Sequence, residues 1–434
     1  MNSEEISKHL WNFLDDQRGV ATAQEIIDVL TLVALIAKQL PEDFNNVFNK
    51  GANYQLEALK GLIRSLPEEN KKIYTSPVLE RVSNGALAQI VYFVEQIQHD
   101  LKLLPQVIRA YLAKNIRSMP ELGNTESITK LFVELVGDAS KKSLYDGAAG
   151  LAEIASAINP GTMILEEINN NLWVISNRLL LLEDRNSLFS NCDSLIASQY
   201  LASEYKVDLV VMQPPFGYRL QAHQTDMLAI NTDLLVVGDK KIPSSAGDVI
   251  WIQKAIRQLN KEGKAYLLLP IGWLFRGGYD AKVRDFLLDE DLIESIILLP
   301  QGLLYGSTIQ TSLLVINKAK LKGAPIYFID ATGMGKKVKK ETQLSVDEIK
   351  LIARLAKGND IHHPKCTPVQ IPQIRSQGKR SMDGNDLTPS RYFKTEKLDI
   401  VLPDLIAESE KLKKLQDDFS KAQSRLNQLL NIAN

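Results

Sequence analysis

The sequence predicts an α/β protein: a helical amino-terminal domain, then a strand-and-helix domain on a parallel, doubly wound sheet, then a single coiled-coil helix. Three observations predict it. Apolar residues recur at helical spacing from about Ile6 to Ala113. From Leu144 onward, short apolar runs alternate with amphipathic stretches. The segment Pro403–Asn434 carries a heptad of apolar side chains. A chain of 434 residues exceeds the roughly 100–200 residues of an ordinary domain, and the expected units are residues 1–115, 116–395 and 396–434.

In the first unit Ile26, Ile27, Leu30, Val33, Ala34 and Ala37 recur with helical period, as do Leu87, Ile90, Val91, Val94 and Ile97. Strands are expected at Ser143–Tyr145, Thr162–Leu165, Val207–Met212, Lys264–Leu269, Ser295–Leu299 and Thr311–Asn317. Between them lie the helical patterns Leu172–Leu182, Asp248–Leu259 and Ala281–Leu288. This alternation implies a parallel sheet with both faces covered. The connection 218–245, rich in Gln, Asp and Thr, is a surface loop beside the site, and Ala319–Arg380 is irregular. In the last unit Leu405, Leu412, Phe419 and Leu426 share one seven-residue phase, and Leu415, Ala422 and Leu429 the companion phase. Such a helix is about 45 Å long at 1.5 Å per residue. It cannot bury its own stripe and needs a partner helix.

Composition narrows the class. Hydrophobic residues make up 45% and charged residues 24%, the balance of a soluble globular protein. A formal charge of −1 argues against coating nucleic acid by bulk electrostatics but leaves room for a local basic face or a basic partner. Two cysteines, Cys192 and Cys366, rule out a disulfide framework and suit a reducing cytoplasm. Five histidines without Cys/His ligand spacing argue against a zinc site. Met1–Asn12 is polar and acidic, unlike a signal peptide. The longest apolar stretch, Val29–Ala37, falls short of the roughly 20 residues that cross a bilayer. The expectation is a cytoplasmic protein with no membrane role.

Chemistry concentrates where strands end. Leu144-Tyr145-Asp146-Gly147-Ala148-Ala149-Gly150-Leu151-Ala152 places an acid and then small residues at a strand–helix turn. Small residues there let the backbone approach a ligand closely; a purely structural turn is the alternative. Glu167, at the end of the second strand, suits a ribose diol, because a carboxylate accepts two hydroxyl hydrogen bonds. It equally suits the acidic start of a helix. Asp193 is an acceptor for an adenine amino group or an N-cap. The sharper feature is Asp208-Leu209-Val210-Val211-Met212-Gln213-Pro214-Pro215-Phe216-Gly217. A hydrophobic strand ends there in a carboxamide, two prolines and an aromatic ring. The prolines remove donors and leave carbonyls as outward acceptors. The Gln213 amide oxygen and the Pro214 carbonyl could together grip an exocyclic amino group, and Phe216 could stack on a flipped base; a strand-terminating turn is the alternative, which explains the prolines but not the whole set.

Gln213-Pro214-Pro215-Phe216 resembles the Asn/Asp-Pro-Pro-Tyr/Phe motif of amino-methylating DNA methyltransferases. The blocks around it resemble the modification subunit of type I restriction systems. They are Leu10–Leu40, Asp248–Gln253, Leu269–Arg284, Leu299–Thr311 and Asn385–Tyr392, in the family's order over nearly the whole chain. The resemblance implies a Rossmann-like, S-adenosylmethionine-dependent methyltransferase domain that methylates adenine N6 in double-stranded DNA. It also implies a carboxy-terminal helix docking on a specificity subunit, with a second methylase subunit in the assembly. Carried over, Asp146 and Gly150 line the methionine part of S-adenosylmethionine, Glu167 its ribose and Asp193 its adenine. Thr125 stands in a further cofactor contact, and Gln213, Pro214, Pro215 and Phe216 hold the target base.

The chain departs from that pattern in places. Gly147 replaces a proline, Ala152 a glycine, and Gly123-Asn124-Thr125-Glu126 stands for Gly-x-x-Thr-Pro. Gln213 replaces Asn or Asp, keeping the acceptor but moving it by one methylene, roughly 1.5 Å. A degenerate methyltransferase fold that holds DNA, cofactor or a partner without transferring methyl groups is the second reading; methylation of a protein glutamine or RNA is a third. Gly333-Met334-Gly335-Lys336-Lys337 lacks the spacing of a phosphate loop. Lys336, Lys337, Lys339 and Lys340 are a solvated basic loop or a phosphate contact. His362-His363-Pro364 is a surface turn, and Arg276 either reaches a DNA phosphate or forms a structural salt bridge.

Overall fold

A computed structural model describes residues 2–16, 22–115, 125–200, 202–230, 234–236, 242–304, 307–339, 341–377, 385–393 and 405–432. The amino-terminal part is helical throughout: α1 (Ser3–Asp16), α2 (Ala23–Gln39), α3 (Pro41–Phe48), α4 (Ala52–Ser65), α5 (Glu68–Tyr74), α6 (Asn84–Gln96) and α7 (Leu104–Asn115). At its centre α2 opens on a capping box, in which Thr22 Oγ1 accepts from the Glu25 amide and Glu25 accepts from the Thr22 amide. Its residues from Ile26 to Ala37 are buried on almost every side, so the other helices wrap it. Leu40 breaks the helix and Pro41 starts α3 at the position where a missing N–H costs nothing.

The sheet part follows in order: α8 (Glu126–Val136), β1 (Ser143–Asp146), α9 (Glu153–Ile158), β2 (Thr162–Glu167), α10 (Asn170–Leu182), β3 (Ser187–Asn191) and β4 (Val207–Met212). Then come α11 (Ala222–Ile230), α12 (Gly247–Gln258), β5 (Leu259–Pro270), α13 (Tyr279–Asp289), β6 (Ile293–Leu298), β7 (Thr311–Asn317) and β8 (Ile326–Asp330). A hairpin of β9 (Lys336–Val338) and β10 (Glu341–Gln343), then α14 (Val346–Ala356), β11 (Cys366–Val369) and α15 (Ile371–Gln377) complete it. The nine-stranded sheet has the order β11-β8-β6-β7-β5-β4-β1-β2-β3. From β1 the chain winds outward to β2 and β3 on one side and to β4 and β5 on the other, with parallel pairing throughout. The carboxyl ends of β1 and β4 therefore flank a switch point, where open α/β sheets form their ligand crevice.

Three expectations need correction. The connection 218–245 is not a surface loop throughout, because it contains α11, on which Gln224, Thr225 and Leu228 are buried. The sheet is mixed, because β7 runs antiparallel to both β5 and β6, and β11 antiparallel to β8. All seven residues of β7 are buried, so its apolar run carries no periodicity that marks direction. The segment Ala319–Arg380 is regular over much of its length. It supplies β8, the hairpin, β11 and α14, which starts on a second capping box at Ser345 and Glu348; residues 378–380 lie outside the described part. Lys336 and Lys337 are hairpin residues, and His362 and His363 lie in a turn as expected. Lys340 and residues 305 and 306 lie outside the described residues.

Helical and sheet parts make one compact unit, Met1–Tyr392. Leu151, Leu172, Ile175, Leu179 and Leu182 join the apolar cluster of the helical part, so α10 serves both. Arg178 on α10, fully buried, fixes the join. Its Nε donates to the Ile73 carbonyl at 2.7 Å, Nη1 to Asp28 Oδ1 at 2.6 Å, and Nη2 to the Thr75 carbonyl at 2.9 Å. Arg178→Leu would strand Asp28 and these carbonyls. The expected cost is about 3–5 kcal/mol, read as a lower denaturant midpoint. A loss below about 1 kcal/mol would show that the join does not depend on this residue.

The second unit, Phe393–Asn434, contains α16 (Leu405–Ile432). On it Leu412, Leu415, Phe419, Leu426 and Leu429 are exposed, as the heptad requires of a helix without its partner. Residues 394–404, including Pro403, lie outside the described part. No helix among the described residues is long and apolar enough to cross a membrane.

Candidate active site

The turn after β1 is shaped by what surrounds it. Gly147 has no room for a side chain, since a Cβ there would sit 2.6 Å from Tyr145 Oη. Its carbonyl accepts from Ser194 Oγ at 2.6 Å, and the Ala149 amide donates to the Glu166 carbonyl at 3.1 Å. Gly150 turns left-handed, with φ +52, which glycine adopts freely. Its amide donates to Glu167 Oε2 at 2.8 Å, and its carbonyl accepts from Ser176 Oγ at 2.6 Å.

Alternation along β2 sends two neighbouring acids to opposite faces. Glu166 is fully buried. It accepts from the Tyr145 hydroxyl, from Ser198 Oγ at 2.8 Å and from the Gln199 amide at 2.9 Å, and Lys254 Nζ stands 3.8 Å away. It is a structural acid. Glu167 instead faces a cleft, with Oε1 taking the Asn169 amide at 2.8 Å and Oε2 the Gly150 amide. Burial raises its pKa, while those backbone amides pull it down. Beyond β3, Asp193 accepts from the Leu195 amide at 3.0 Å and from Gln224 Nε2 of α11 at 2.7 Å.

Asp146 lies beneath the turn, buried, with Oδ1 taking the Ala148 amide at 3.0 Å. Burial pushes its pKa from 3.8 to about 7, against that amide and with help from the Glu167 charge. Between those two values the folded chain holds a proton that the unfolded chain has released, so stability falls as pH rises. The unaltered chain is expected to lose about 2 kcal/mol between pH 5.5 and 8 relative to Asp146→Asn, whose side chain does not titrate. Parallel pH profiles of the two proteins in denaturant titrations would contradict this.

At the tip of β4 the backbone leaves the sheet through Gln213, Pro214 and Pro215. Gln213 Oε1 is buried and has no hydrogen-bond partner among the protein atoms. It is one of eleven such buried side-chain atoms among the described residues, and what sets it apart is that its residue lines a cleft. Trp251 Nε1 on α12 is a second such atom. Both residues line one cleft of about 230 Å³ with Gly147, Ala148, Gly150, Glu167, Asp193, Pro215 and Gln224. Ile168, Leu172 and Leu195 add apolar walls. A planar group with polar edges, an adjoining diol and an amino group all find complementary chemistry there.

Of the residues singled out in the sequence, Gly150, Glu167, Asp193, Gln213 and Pro215 line the cleft. Pro214 and Asp146 are buried and do not line it. Phe216 is half-buried against the sheet's apolar cluster, outside the lining. Thr125 is buried and donates to the Leu303 carbonyl at 2.6 Å, also outside it; Gly123 and Asn124 lie outside the described residues. Arg276 forms a structural ion-pair network, with Asp280 at 2.6 Å and with Asp248. Sequence reasoning assigned no role to Trp251 or Gln224. Trp251 sits inside a quoted block, but nothing local shows that its N–H ends unpartnered in a cleft.

The chain matches the N-6 DNA Methylase family over residues 106–399. It is 25% identical over 413 residues to the type I restriction enzyme MjaVIII methylase subunit of Methanocaldococcus jannaschii, covering 86% of this chain and 69% of that protein. It is 25% identical over 240 residues to the MpnII methylase subunit of Mycoplasma pneumoniae, covering 53% of this chain but only 43% of the relative. Among solved structures, the methyltransferase subunit of the type I restriction-modification system from Streptococcus thermophilus superposes with a TM-score of 0.73. It shares 18% identity and covers 91% of this chain and all of that one. A second, described as the structural basis of complex assembly and conformational transition of the type I R-M system, gives 0.71 at 17% identity over the full length of both chains. At these identities the structural likeness is one of fold.

Proposed function

This chain belongs to the N-6 DNA methylase family, and from that premise we propose that it is the methylase subunit of a type I restriction-modification-like system, methylating adenine N6 in double-stranded DNA. The observation that carries the reading is that Gln213, whose buried side-chain oxygen has no protein partner, lines the same cleft as Gly150 and Glu167.

The residues fit S-adenosylmethionine. Glu167 keeps lone pairs for a ribose diol although each oxygen already takes one backbone amide. Asp193 is an acceptor for an adenine amino group, and Ile168, Leu195 and Pro215 offer apolar faces to its ring. Asp146 and the bare backbone of Gly147–Gly150 stand where the methionine end would lie. When bound, the cofactor supplies an electrophilic methyl group on a sulfonium.

The chain's own contribution is to prepare the amine. The lone pair of adenine N6 is delocalised into the ring, and acceptors that take its two hydrogens localise it on nitrogen. Gln213 Oε1 and the Pro214 carbonyl are assigned as those acceptors, Gln213 from the lining of the cleft and Pro214 from the adjoining residue of the motif. Pro215 adds no competing N–H. Phe216 closes the motif but packs against the sheet's apolar cluster, outside the lining of the cleft. Sequence recognition belongs to a separate specificity subunit, and the exposed stripe of α16 is the docking element for it and for a second methylase subunit.

The test is a calorimetric titration with S-adenosylmethionine, followed by incubation of the chain, its specificity subunit, labelled cofactor and duplex DNA. Saturable binding and label in DNA are expected. Binding without transfer would leave a donor-holding module, and absence of both would remove the proposal.

A further inference from the structure

Arg109 is a helical-domain residue that ends under the turn after β1. It is 5% exposed, on α7. Its Nε donates to the Leu151 carbonyl at 3.0 Å, and its Nη1 pairs with Glu183 at 2.5 Å, just past α10. The other oxygen of Glu183 accepts from Ser156 Oγ of α9 at 2.6 Å. The guanidinium thus ties the turn to the two helices that flank β2.

That turn is a demanding one. Gly150 and Ala152 both have φ +52. Glycine adopts this conformation freely, whereas a residue with a Cβ does so at a cost. Leu151, between them, is buried in the apolar cluster of the helical part, while Ala152 belongs to that of the sheet. A strained backbone of this kind persists only where its surroundings over-determine it. Here the fixing contact on the Leu151 carbonyl is the side chain of Arg109.

We propose that Arg109 is a positioning residue for methyl-donor binding, through which the helical domain holds Gly150–Ala152 in the shape the donor requires. The inference rests on the reading that the donor lies against this turn. It makes the helical domain part of the binding site rather than a neighbour of it.

Ala152 supplies the discriminating variant. In Arg109→Lys a single ammonium cannot serve the Leu151 carbonyl and Glu183 in the bidentate manner of a guanidinium. The expected result is about a tenfold loss of S-adenosylmethionine affinity by calorimetry, with faster amide hydrogen exchange at Gly150–Ala152 and a cooperative unfolding transition retained. Ala152→Gly alone removes the left-handed penalty at that position and is the background against which the double variant is read. Combined with Arg109→Lys it should recover most of the loss, because glycine needs no help to adopt the left-handed conformation. A role in stability alone would lower the unfolding midpoint without any recovery of affinity by Ala152→Gly, and that result overturns the proposal. So does unchanged binding and exchange in Arg109→Lys. If the unaltered chain binds no donor, the methyltransferase reading fails, and exchange at Gly150–Ala152 still decides whether Arg109 holds the turn.

Discussion

Gln213→Ala is expected to lower methyl incorporation into DNA by about a hundredfold or more, while the affinity for S-adenosylmethionine stays within about threefold of the unaltered chain. The asymmetry follows from what Gln213 does. Its Oε1 has no protein partner, so its removal disturbs no internal hydrogen bond of that atom. The loss falls on an acceptor used when the amine nitrogen acquires its lone pair, which is a transition-state interaction. Gln213→Asn goes the other way. It retracts the oxygen by one methylene, roughly 1.5 Å, to the reach of the shorter side chain that the family motif carries. Misplacement by about 1 Å can cost a hundredfold in rate, so the Asn variant is expected to transfer methyl groups faster than the unaltered chain. Rates for Gln213→Ala equal to those of the unaltered chain would remove this residue from the chemistry.

Glu167→Ala is expected to act on the opposite half of the cleft. A carboxylate hydrogen-bonded to a diol contributes about 1.5–3 kcal/mol, so donor affinity should fall at least tenfold by calorimetry. At saturating donor the rate should largely return, because no group that touches the amine has changed. Glu167 also receives the Gly150 and Asn169 amides, so some stability is lost as well, and unfolding curves separate the two effects. Undiminished affinity in Glu167→Ala would place the ribose elsewhere. The neighbouring acid is a useful contrast. Glu166 is committed to Tyr145, Ser198 and Gln199 on the other face, so its loss should cost stability first.

How much of this was legible in the sequence depends on the kind of signal each element carries. Val207–Met212 and Thr311–Asn317 emerge with the same bounds in sequence and structure, because a buried apolar run ends sharply at polar or proline residues. β3 was missed. Its five residues Ser187–Asn191 lie at the sheet edge and leave Leu188 exposed, so they lack an apolar run. β11 was hidden by Pro368, which an edge strand tolerates. α14 does carry its signal, a capping box before an amphipathic run, within a stretch whose prolines and lysines mask it.

The candidate site divides in the same way. Gly150, Glu167, Asp193 and Gln213 follow strands, and the rule that ligands sit at strand tips brings them together without any long-range information. Gln224 and Trp251 reach the cleft from α11 and α12, and only the packing of those helices on the sheet puts them there. Arg109 lies farther still from any local signal. Its partners Leu151 and Glu183 are 42 and 74 residues away, and a lone arginine on a helix gives no sign that it ends beneath a ligand turn. Phe216 shows the limit of a motif: the sequence names the ring, but its place beside the apolar cluster is set by tertiary packing.

The most direct measurement is chemical identification of the product. Duplex DNA incubated with the chain, its specificity subunit and methyl-labelled S-adenosylmethionine is digested to nucleosides, and the label is assigned to a base. Label is expected on N6-methyladenine, nearly abolished in Gln213→Ala. Label on another base, or incorporation into adenine that is indifferent to Gln213, would contradict this expectation.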